Sequence, residues 1–196
     1  MLGLVPLGSN EAGLWEFWHP LSGERPAHDG TGGYVVRPET GLVFVLVPGG
    51  ARPVGVQTED PDAPNYCDPE LLKDVGYGDD DLGVRSPRLR PYFLSKYEMT
   101  QAQWFRLTGD NPSRYYAGTD WNGAPLLSLT SPVERLSWED CAALETWGMA
   151  QPTEAHYEVA ARAGTETVFW WGNAWPPPSG AANFYDRSLA EAVKTK

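Results

Sequence analysis

The stretch Phe93–Trp104, with the sequence FLSKYEMTQAQW, predicts a strand that leads directly into a helix. Its first residues are large and apolar, as in a β-strand. Further on, Thr100 and Gln103 have the spacing of a capping box, in which the two side chains satisfy the free amide groups at a helix start. The indole of Trp104 begins the apolar face of this helix, and Gly109 marks its end.

Similar signals recur on both sides of this stretch. Upstream, Gly41–Val47 is a run of β-forming residues that stops at a Pro-Gly-Gly turn. Downstream, Ser137–Asp140 repeats the capping pattern before a helix that extends to about Trp147. Pro152–Ala155 has the composition of a third helix start. Short strands, short helices and long connections together predict an α+β domain.

Two parts of the chain lack regular signals. Residues 1–40 are expected to be an irregular lead-in with room for one short element over Glu11–Phe17, followed by one domain over 41–196. Residues 57–83 are expected to be a long acidic loop that adds little to the core. The 18 prolines and 21 glycines among 196 residues interrupt regular elements, while aromatic residues, 12% of the chain, supply buried area. The domain is therefore predicted to be loop-rich, with an aromatic core.

The charge balance excludes several classes of partner. The formal net charge is −11, without a basic cluster to offset it, so nucleic acids and anionic membrane surfaces are not expected partners. The longest strongly apolar run, Leu42–Pro48, is too short to span a bilayer, and the N-terminus does not read as a secretory signal. A cytoplasmic location is therefore expected.

Five sequence blocks in a fixed order connect the chain with a known family. They are Leu42–Gly50, Phe93–Trp104, Pro132–Asp140, Pro152–Ala155 and Glu158–Gly164, followed by the pair Trp171-Gly172. Together they resemble the formylglycine-generating, sulfatase-modifying factor family, which includes ergothioneine-synthase C-terminal domains and pyoverdine-maturation proteins. The resemblance implies a C-type-lectin-like fold made of small twisted sheets, short helices and long loops. It also implies that residues 41–196 are the N-terminal two-thirds of such a domain, truncated at the C-terminus.

The resemblance further implies an oxidation of a client-protein cysteine that depends on a metal and O2, at copper held by two thiolates. Soft thiolates suit copper(I), so a close cysteine pair is required. The cysteines here, Cys67 and Cys141, lie far apart in the sequence. Cys141 is expected to be a buried, inert thiol, and the neighbouring Asp68 and Glu70 are expected to raise the pKa of Cys67. We therefore assign no catalytic or cofactor-binding residue and expect the 196 residues alone to be inactive.

Iron and calcium give equally limited predictions. The family's iron-dependent members use several histidines, but His19, His28 and His156 lack a paired spacing on any predicted helix. Calcium is also implied by the resemblance, and it takes six to eight oxygen ligands. Asn183 matches a family position that supplies a side-chain oxygen, so a partial calcium site is predicted there. We interpret Asp79–Asp81 as a run of carboxylates exposed to solvent.

Several residues in the matching blocks have structural interpretations. Aromatic side chains expected to pack in the core or to anchor loops are Phe93, Tyr97, Trp104, Trp138, Trp147, Trp170 and Trp171. Arg162 is expected to pair with a buried carboxylate, either Glu134 or Glu158.

Two functions remain open. The first is an enzyme of the sulfatase-modifying factor type that acts on a client protein or peptide. The second is a non-catalytic, lectin-like binding module that presents the loops 57–83 and 108–131 to its partner. Ala150-Gln151 stand where the family usually has Arg-Leu. This is one of several departures from the family pattern, and together they argue against catalysis more than against the family fold.

Overall fold

The computed structural model describes residues 3–74, 82–116 and 128–182. The chain forms two compact units, each built from two separate stretches of sequence. The first unit comprises Met1–Pro48 and Pro91–Gln151, and the second comprises Gly49–Arg90 and Pro152–Lys196.

The regular elements are short, as the loop-rich composition predicts. The strands are β1 Val5–Ser9, β2 Trp15–Trp18, β3 Ala27–His28, β4 Tyr34–Val35, β5 Val43–Val47, β6 Gly50–Ala51, β7 Arg88–Leu89 and β8 Tyr92–Ser95. The α-helices are α1 Pro69–Asp74, α2 Gln101–Thr108 and α3 Glu154–Arg162, and the 3₁₀ helices are Pro20–Ser22 and Asp140–Trp147. Among the described helices, none has both the length and the apolar character of a membrane-spanning segment.

The main sheet of the first unit is antiparallel, with the strand order β1-β2-β5-β8. Strands β1 and β2 form half of it. The expectation of irregular structure is wrong for β1, whereas β2 overlaps the short element expected over Glu11–Phe17. The pattern was weak because β1 contains Pro6 and an irregularity between Pro6 and Gly8. A proline is tolerated in β1 because this is an edge strand, which does not need every amide for pairing.

The pairing register separates the side chains of this sheet into two faces. Phe17 lies opposite Phe44 in one pair of strands, and Leu46 lies opposite Phe93 in the next. Because side chains alternate along a strand, these residues share one face of the sheet. Glu16 lies opposite Val45, and this pair therefore lies on the other face.

Helix α2 begins and ends as the sequence predicts. The hydroxyl oxygen of Thr100 accepts a hydrogen bond from the Gln103 amide at 3.2 Å, and the Gln103 side-chain oxygen accepts one from the Thr100 amide at 2.9 Å. Gly109 ends the helix in the left-handed conformation, with φ of 81°. The helix buries Trp104 and Leu107 in the core of the first unit.

The other two predicted helices are also present. Ser137 and Asp140 form reciprocal side-chain-to-amide hydrogen bonds of 2.8 and 3.1 Å, and the helix that follows is 3₁₀ in type. Helix α3 begins after Thr153, whose hydroxyl accepts from the His156 amide. It ends where Ala163 adopts a left-handed conformation.

The second unit has its own small core within the stretch predicted to be a loop. Val56, Cys67 and Leu72 are buried together, with Leu71 and Val168 packed against them. Since α1 and two of these buried residues fall within 57–83, the expectation that this stretch adds little to the core is wrong. A six-residue helix contributes too few apolar positions for its period to be recognised in the sequence.

Arg162 ties α3 to the rest of the second unit. Of the two carboxylates considered, it is Glu158 that pairs with it, with 2.8 Å between the guanidinium and carboxylate atoms. The guanidinium also donates to the carbonyls of Gly55 and Thr167. The Glu158 carboxylate in turn accepts from the Gly55 amide at 2.7 Å. The buried arginine, 7% exposed, thus has a structural role.

The predictions for the aromatic residues are confirmed at some positions and wrong at others. Trp104 is buried, and the Trp147 indole donates to the Leu107 carbonyl at 3.0 Å, so these two predictions are confirmed. In contrast, Phe93 is 45% exposed, so its assignment to the core is wrong, although its ring packs edge-on against Phe17. Trp138 is 73% exposed, so its assignment as a packing anchor is wrong, whereas Trp170, 53% exposed, meets the Trp171 ring edge-on. An aromatic residue in a loop or on one sheet face is buried only if a neighbouring element covers it, which local sequence does not specify.

The capping box at Thr100 predicts a measurable loss of stability. Replacing Thr100 with Ala removes the acceptor for the Gln103 amide and is expected to lower the free energy of unfolding by about 1–2 kcal/mol. Thr108→Ala, at the other end of the same helix, is the matched control and is expected to cost less. Chemical denaturation of both variants measures the difference, and equal losses would contradict this role for the capping box.

Candidate functional site

Cys67, a candidate thiolate ligand, lies in the hydrophobic core of the second unit. Its side chain is 1% exposed, and the thiol donates to the Asp68 carbonyl at 3.6 Å. Burial, together with the nearby Asp68 carboxylate, raises the pKa of the Cys67 thiol. The expected direction is confirmed, although burial is the larger cause. A buried thiol with a raised pKa is a poor copper ligand, because the thiolate is the form that binds metal.

Cys141 belongs to the first unit, in the second residue of the 3₁₀ helix Asp140–Trp147. It is a free cysteine and is half-buried, so the expectation of a fully buried thiol is wrong. A 3₁₀ helix of this kind buries none of its residues completely, which leaves the thiol partly open to solvent. Because Cys67 is enclosed in a hydrophobic core, the two cysteines do not fit the dithiolate site that copper requires.

The histidines are also separated. His28 is exposed and its ring lies 4.6 Å from that of Tyr34, while His156 approaches the Thr153 hydroxyl at 2.6 Å. Within the three described ranges, groups of three or more residues able to hold a metal ion are absent. The predicted calcium ligand Asn183 and the acidic run Asp79–Asp81 lie outside the described residues.

A buried ion pair lies on the Glu16 face of the main sheet. The Lys96 ammonium is 2.7 Å from the Glu16 carboxylate, and these side chains are 19% and 3% exposed. The ammonium also lies 5.1 Å from the ring centre of Tyr34 and 5.8 Å from that of Tyr97. Asn10 donates a further hydrogen bond to the same carboxylate at 3.1 Å.

The pKa values of this group follow from its burial and its contacts. Burial opposes ionisation of Glu16, but hydrogen bonds from Lys96, Tyr34 and Asn10 outweigh it and hold the pKa of the carboxyl below its ordinary value. Burial and the adjacent Glu16 carboxylate raise the pKa of the Tyr34 hydroxyl. The Tyr34 hydroxyl is thus held in its protonated form beside an ionised glutamate, and the contacts of the group join β2, β4 and the residue directly after β8 in the first unit.

The opposite face of the sheet borders a cavity of about 570 Å³ in the first unit. Its lining residues are Leu4, His19, Phe44, Phe93, Glu145, Thr146, Gly148, Met149 and Ala150. Leu4 lies just before β1, His19 just after β2, Phe44 in β5 and Phe93 in β8, and the others lie at the end of the 3₁₀ helix Asp140–Trp147 or directly after it. This concave surface is open to solvent, has both apolar and polar lining residues, and has a volume within the range of small-molecule sites.

Sequence reasoning missed the role of His19 in this cavity. In the sequence His19 is one of three histidines that lie far apart, yet in the structure its side chain is 1% exposed. Its position immediately after the strand sequence WEFW was a usable signal, because residues 17 and 19 share a face. The partner residues from β8 and the 3₁₀ helix are distant in sequence and gave no such signal.

The ion pair predicts a stability change that depends on pH. Replacing Lys96 with Met leaves the buried Glu16 carboxylate without its cation, and is expected to lower the free energy of unfolding by about 3 kcal/mol at pH 7. Because the pKa of Glu16 is lowered in the folded state, its stabilisation is present at neutral pH and is lost as pH falls through that folded-state pKa. The difference between Lys96→Met and wild type should therefore shrink at pH 3.

Denaturation at both pH values measures this effect. Lys73→Met is the matched control, since the Lys73–Glu70 pair has the same 2.7 Å separation but side chains that are 71% and 82% exposed. The control is expected to leave stability unchanged. An equal effect of the two substitutions, or a pH-independent effect of Lys96→Met, would contradict the role of burial.

The two thiols are expected to react at different rates with a thiol reagent such as dithionitrobenzoate. The half-buried Cys141 should react in the folded protein, whereas Cys67 should react only after unfolding. The variant Cys141→Ser should therefore lose the fast phase, and Cys67→Ser should retain it. A fast phase that survives Cys141→Ser would show that Cys67 is accessible.

Comparison with known proteins identifies the family. The sulfatase-modifying factor enzyme 1-like domain matches residues 36–196. The chain is also 29% identical to the formylglycine-generating enzyme of Thermomonospora curvata, over 68% of this chain and 54% of that enzyme. It thus spans about half the length of this curated relative. No solved structure is significantly similar to it.

The family resemblance of the sequence blocks is therefore confirmed. The matched region contains α2, the 3₁₀ helix Asp140–Trp147 and α3, whose capping residues carried that resemblance. Since the match extends over most of the chain, the protein belongs to the sulfatase-modifying factor (FGE-sulfatase) family.

Proposed function

We propose that the protein is a formylglycine-generating-enzyme-type domain that binds a cysteine-containing segment of a client protein or peptide. The observation that carries this proposal is the family match over residues 36–196, supported by the similarity to the Thermomonospora curvata enzyme. The family activity is the oxidation of the client cysteine by O2 with the help of a metal. Cys67 and Cys141 do not form the oxidising centre in this proposal.

The position of Cys67 supports the statement that the two cysteines do not form the oxidising centre. A core thiol that is 1% exposed would have to leave its packing against Val56 and Leu72 before it could meet a metal or a client. Exposing such a cluster costs the free energy of its apolar burial. This argument applies only to copper and to these two cysteines, which do not fit a copper site. For calcium we keep Asn183 as a proposed partial ligand, because amide oxygens suit that ion.

For the fold we propose the C-type-lectin-like arrangement that the family resemblance implies. Support comes from the small antiparallel sheets, the short helices and the long irregular connections of both units. An experimental structure tests it.

A second candidate function is a non-catalytic binding module. It is favoured by the poor fit of both cysteines to a copper site. The two candidates share client binding and differ in catalysis by the protein as a whole.

The experiment that tests client binding and the role of the two cysteines uses a cysteine-containing peptide that the Thermomonospora curvata enzyme converts. Fluorescence anisotropy measures binding of the labelled peptide to the 196-residue chain, and hydrazide capture with mass spectrometry detects aldehyde after incubation with copper and O2. The relative serves as the positive control. We expect saturable peptide binding to this chain and no aldehyde above the protein-free reaction.

Each other outcome contradicts a defined part of the proposal. Absence of peptide binding would contradict the client-binding role. Aldehyde formation that is lost in Cys67→Ser or Cys141→Ser would assign the oxidising centre to these cysteines.

A further inference from the structure

The cavity on the Phe44 face of the main sheet contains a buried polar group that the fold does not satisfy. Both ring nitrogens of His19 are buried and lack a hydrogen-bond partner among the described residues. Its backbone, by contrast, is fully engaged, since the amide donates to the Leu42 carbonyl and the carbonyl accepts from Ser22. An unpaired buried polar group costs about 1–3 kcal/mol. Because His19 lines the cavity, a ligand there can supply the missing partner if the buried ring turns toward it.

The surroundings of His19 define what kind of polar group would match it. Burial lowers the pKa of the imidazole, so the ring is neutral at neutral pH. A neutral imidazole presents one donor and one acceptor. A hydroxyl group can serve either nitrogen, because it also both donates and accepts. A carboxylate or phosphate, which only accepts, would favour a charged ring that this environment disfavours.

The walls of the cavity define the rest of the ligand. Phe44 packs edge-to-face with the His19 ring, at 6.4 Å between ring centres and 85° between planes. Phe93, 45% exposed, extends the aromatic wall, and its ring meets that of Phe17 edge-on at 5.1 Å. Aromatic side chains in this arrangement receive a further ring with favourable stacked or edge-on contacts.

The remaining lining residues disfavour negative charge. Glu145 is exposed and lies among the residues that line the cavity, where its carboxylate repels an anion. The net charge of −11 acts in the same direction. A volume of about 570 Å³ lies within the range of pockets that hold small organic molecules.

We propose that this cavity binds a small, uncharged hydroxyaromatic molecule, with its hydroxyl group on the His19 imidazole and its ring against Phe44 and Phe93. The proposal goes beyond the family activity, because Leu4 and His19 precede residue 36, where the family match begins. It also requires neither cysteine. Success or failure of this site is therefore independent of client binding and oxidation.

The test uses three probes that share an ethylphenyl group and differ in one substituent: 4-ethylphenol, ethylbenzene and 4-ethylbenzoate. Long-range ¹H–¹⁵N spectra of the histidine rings report on each imidazole during titration of the 196-residue chain. We expect 4-ethylphenol to shift the His19 ring signals in a saturable way while those of His28 and His156 stay unchanged. Ethylbenzene should bind about three- to tenfold more weakly, as expected for the loss of one hydrogen bond. The anionic 4-ethylbenzoate should not bind measurably.

Substitutions then assign the contacts. His19→Phe is expected to abolish the preference for 4-ethylphenol over ethylbenzene, while His28→Phe, which removes an exposed histidine of the same unit, should keep it. Because His19→Phe is a core substitution, Phe93→Leu at the half-exposed wall provides a second variant. It should weaken 4-ethylphenol severalfold with the fold retained in thermal unfolding.

Three results would overturn the proposal. The His19 signals could remain unchanged by 4-ethylphenol, as they would if an internal water satisfied the ring. Alternatively, 4-ethylbenzoate could bind as tightly as 4-ethylphenol, or Phe93→Leu could leave the affinity for 4-ethylphenol unchanged.

Discussion

The first unit depends on the pairing of strand β5 with β2 on one side and β8 on the other. This strand starts at the buried Val43 and, with β2, forms the interior of the four-stranded sheet. Its two faces lead to two different environments. One face meets the Glu16–Lys96 ion pair, and the other supplies Phe44 to the cavity. A charged cluster and an apolar site are therefore separated by the thickness of one sheet.

Local signals predicted the helices well because a capping box is encoded within four residues. Thr100 with Gln103, and Ser137 with Asp140, form the reciprocal hydrogen bonds that their spacing indicates. The family could be recognised from the same blocks, because they have the residue types of the family and stand in its order along the chain. The pairing of Arg162 was also foreseen as a pairing with one of two carboxylates, although the choice of Glu158 required the helical i, i+4 geometry.

Features that depend on distant contacts were not predictable in this way. Strand β1 acquires its structure from β2, and its own sequence contains Pro6 and Gly8. Cys67 lies in an acidic stretch, but packing from Val168, far along the chain, contributes to its burial. The cavity likewise unites residues from five separate segments, so the place of the His19 imidazole in it follows only from the three-dimensional structure. For the site, sequence identified the family and the poor fit of the cysteines, whereas geometry was needed to find the pocket.

The division of each unit between two stretches of sequence has a consequence for biosynthesis. The partner of β5 on its outer side, β8, follows the whole segment Gly49–Arg90 in the chain. When the ribosome has released only the first half of the protein, β5 therefore has an unpaired edge, which is a template for association with other chains. Closing the long intervening segment costs entropy that grows slowly with its length, and this cost must be met before the β5–β8 contacts form. The nascent chain thus passes through a stage in which protection by a chaperone at this edge would favour correct assembly.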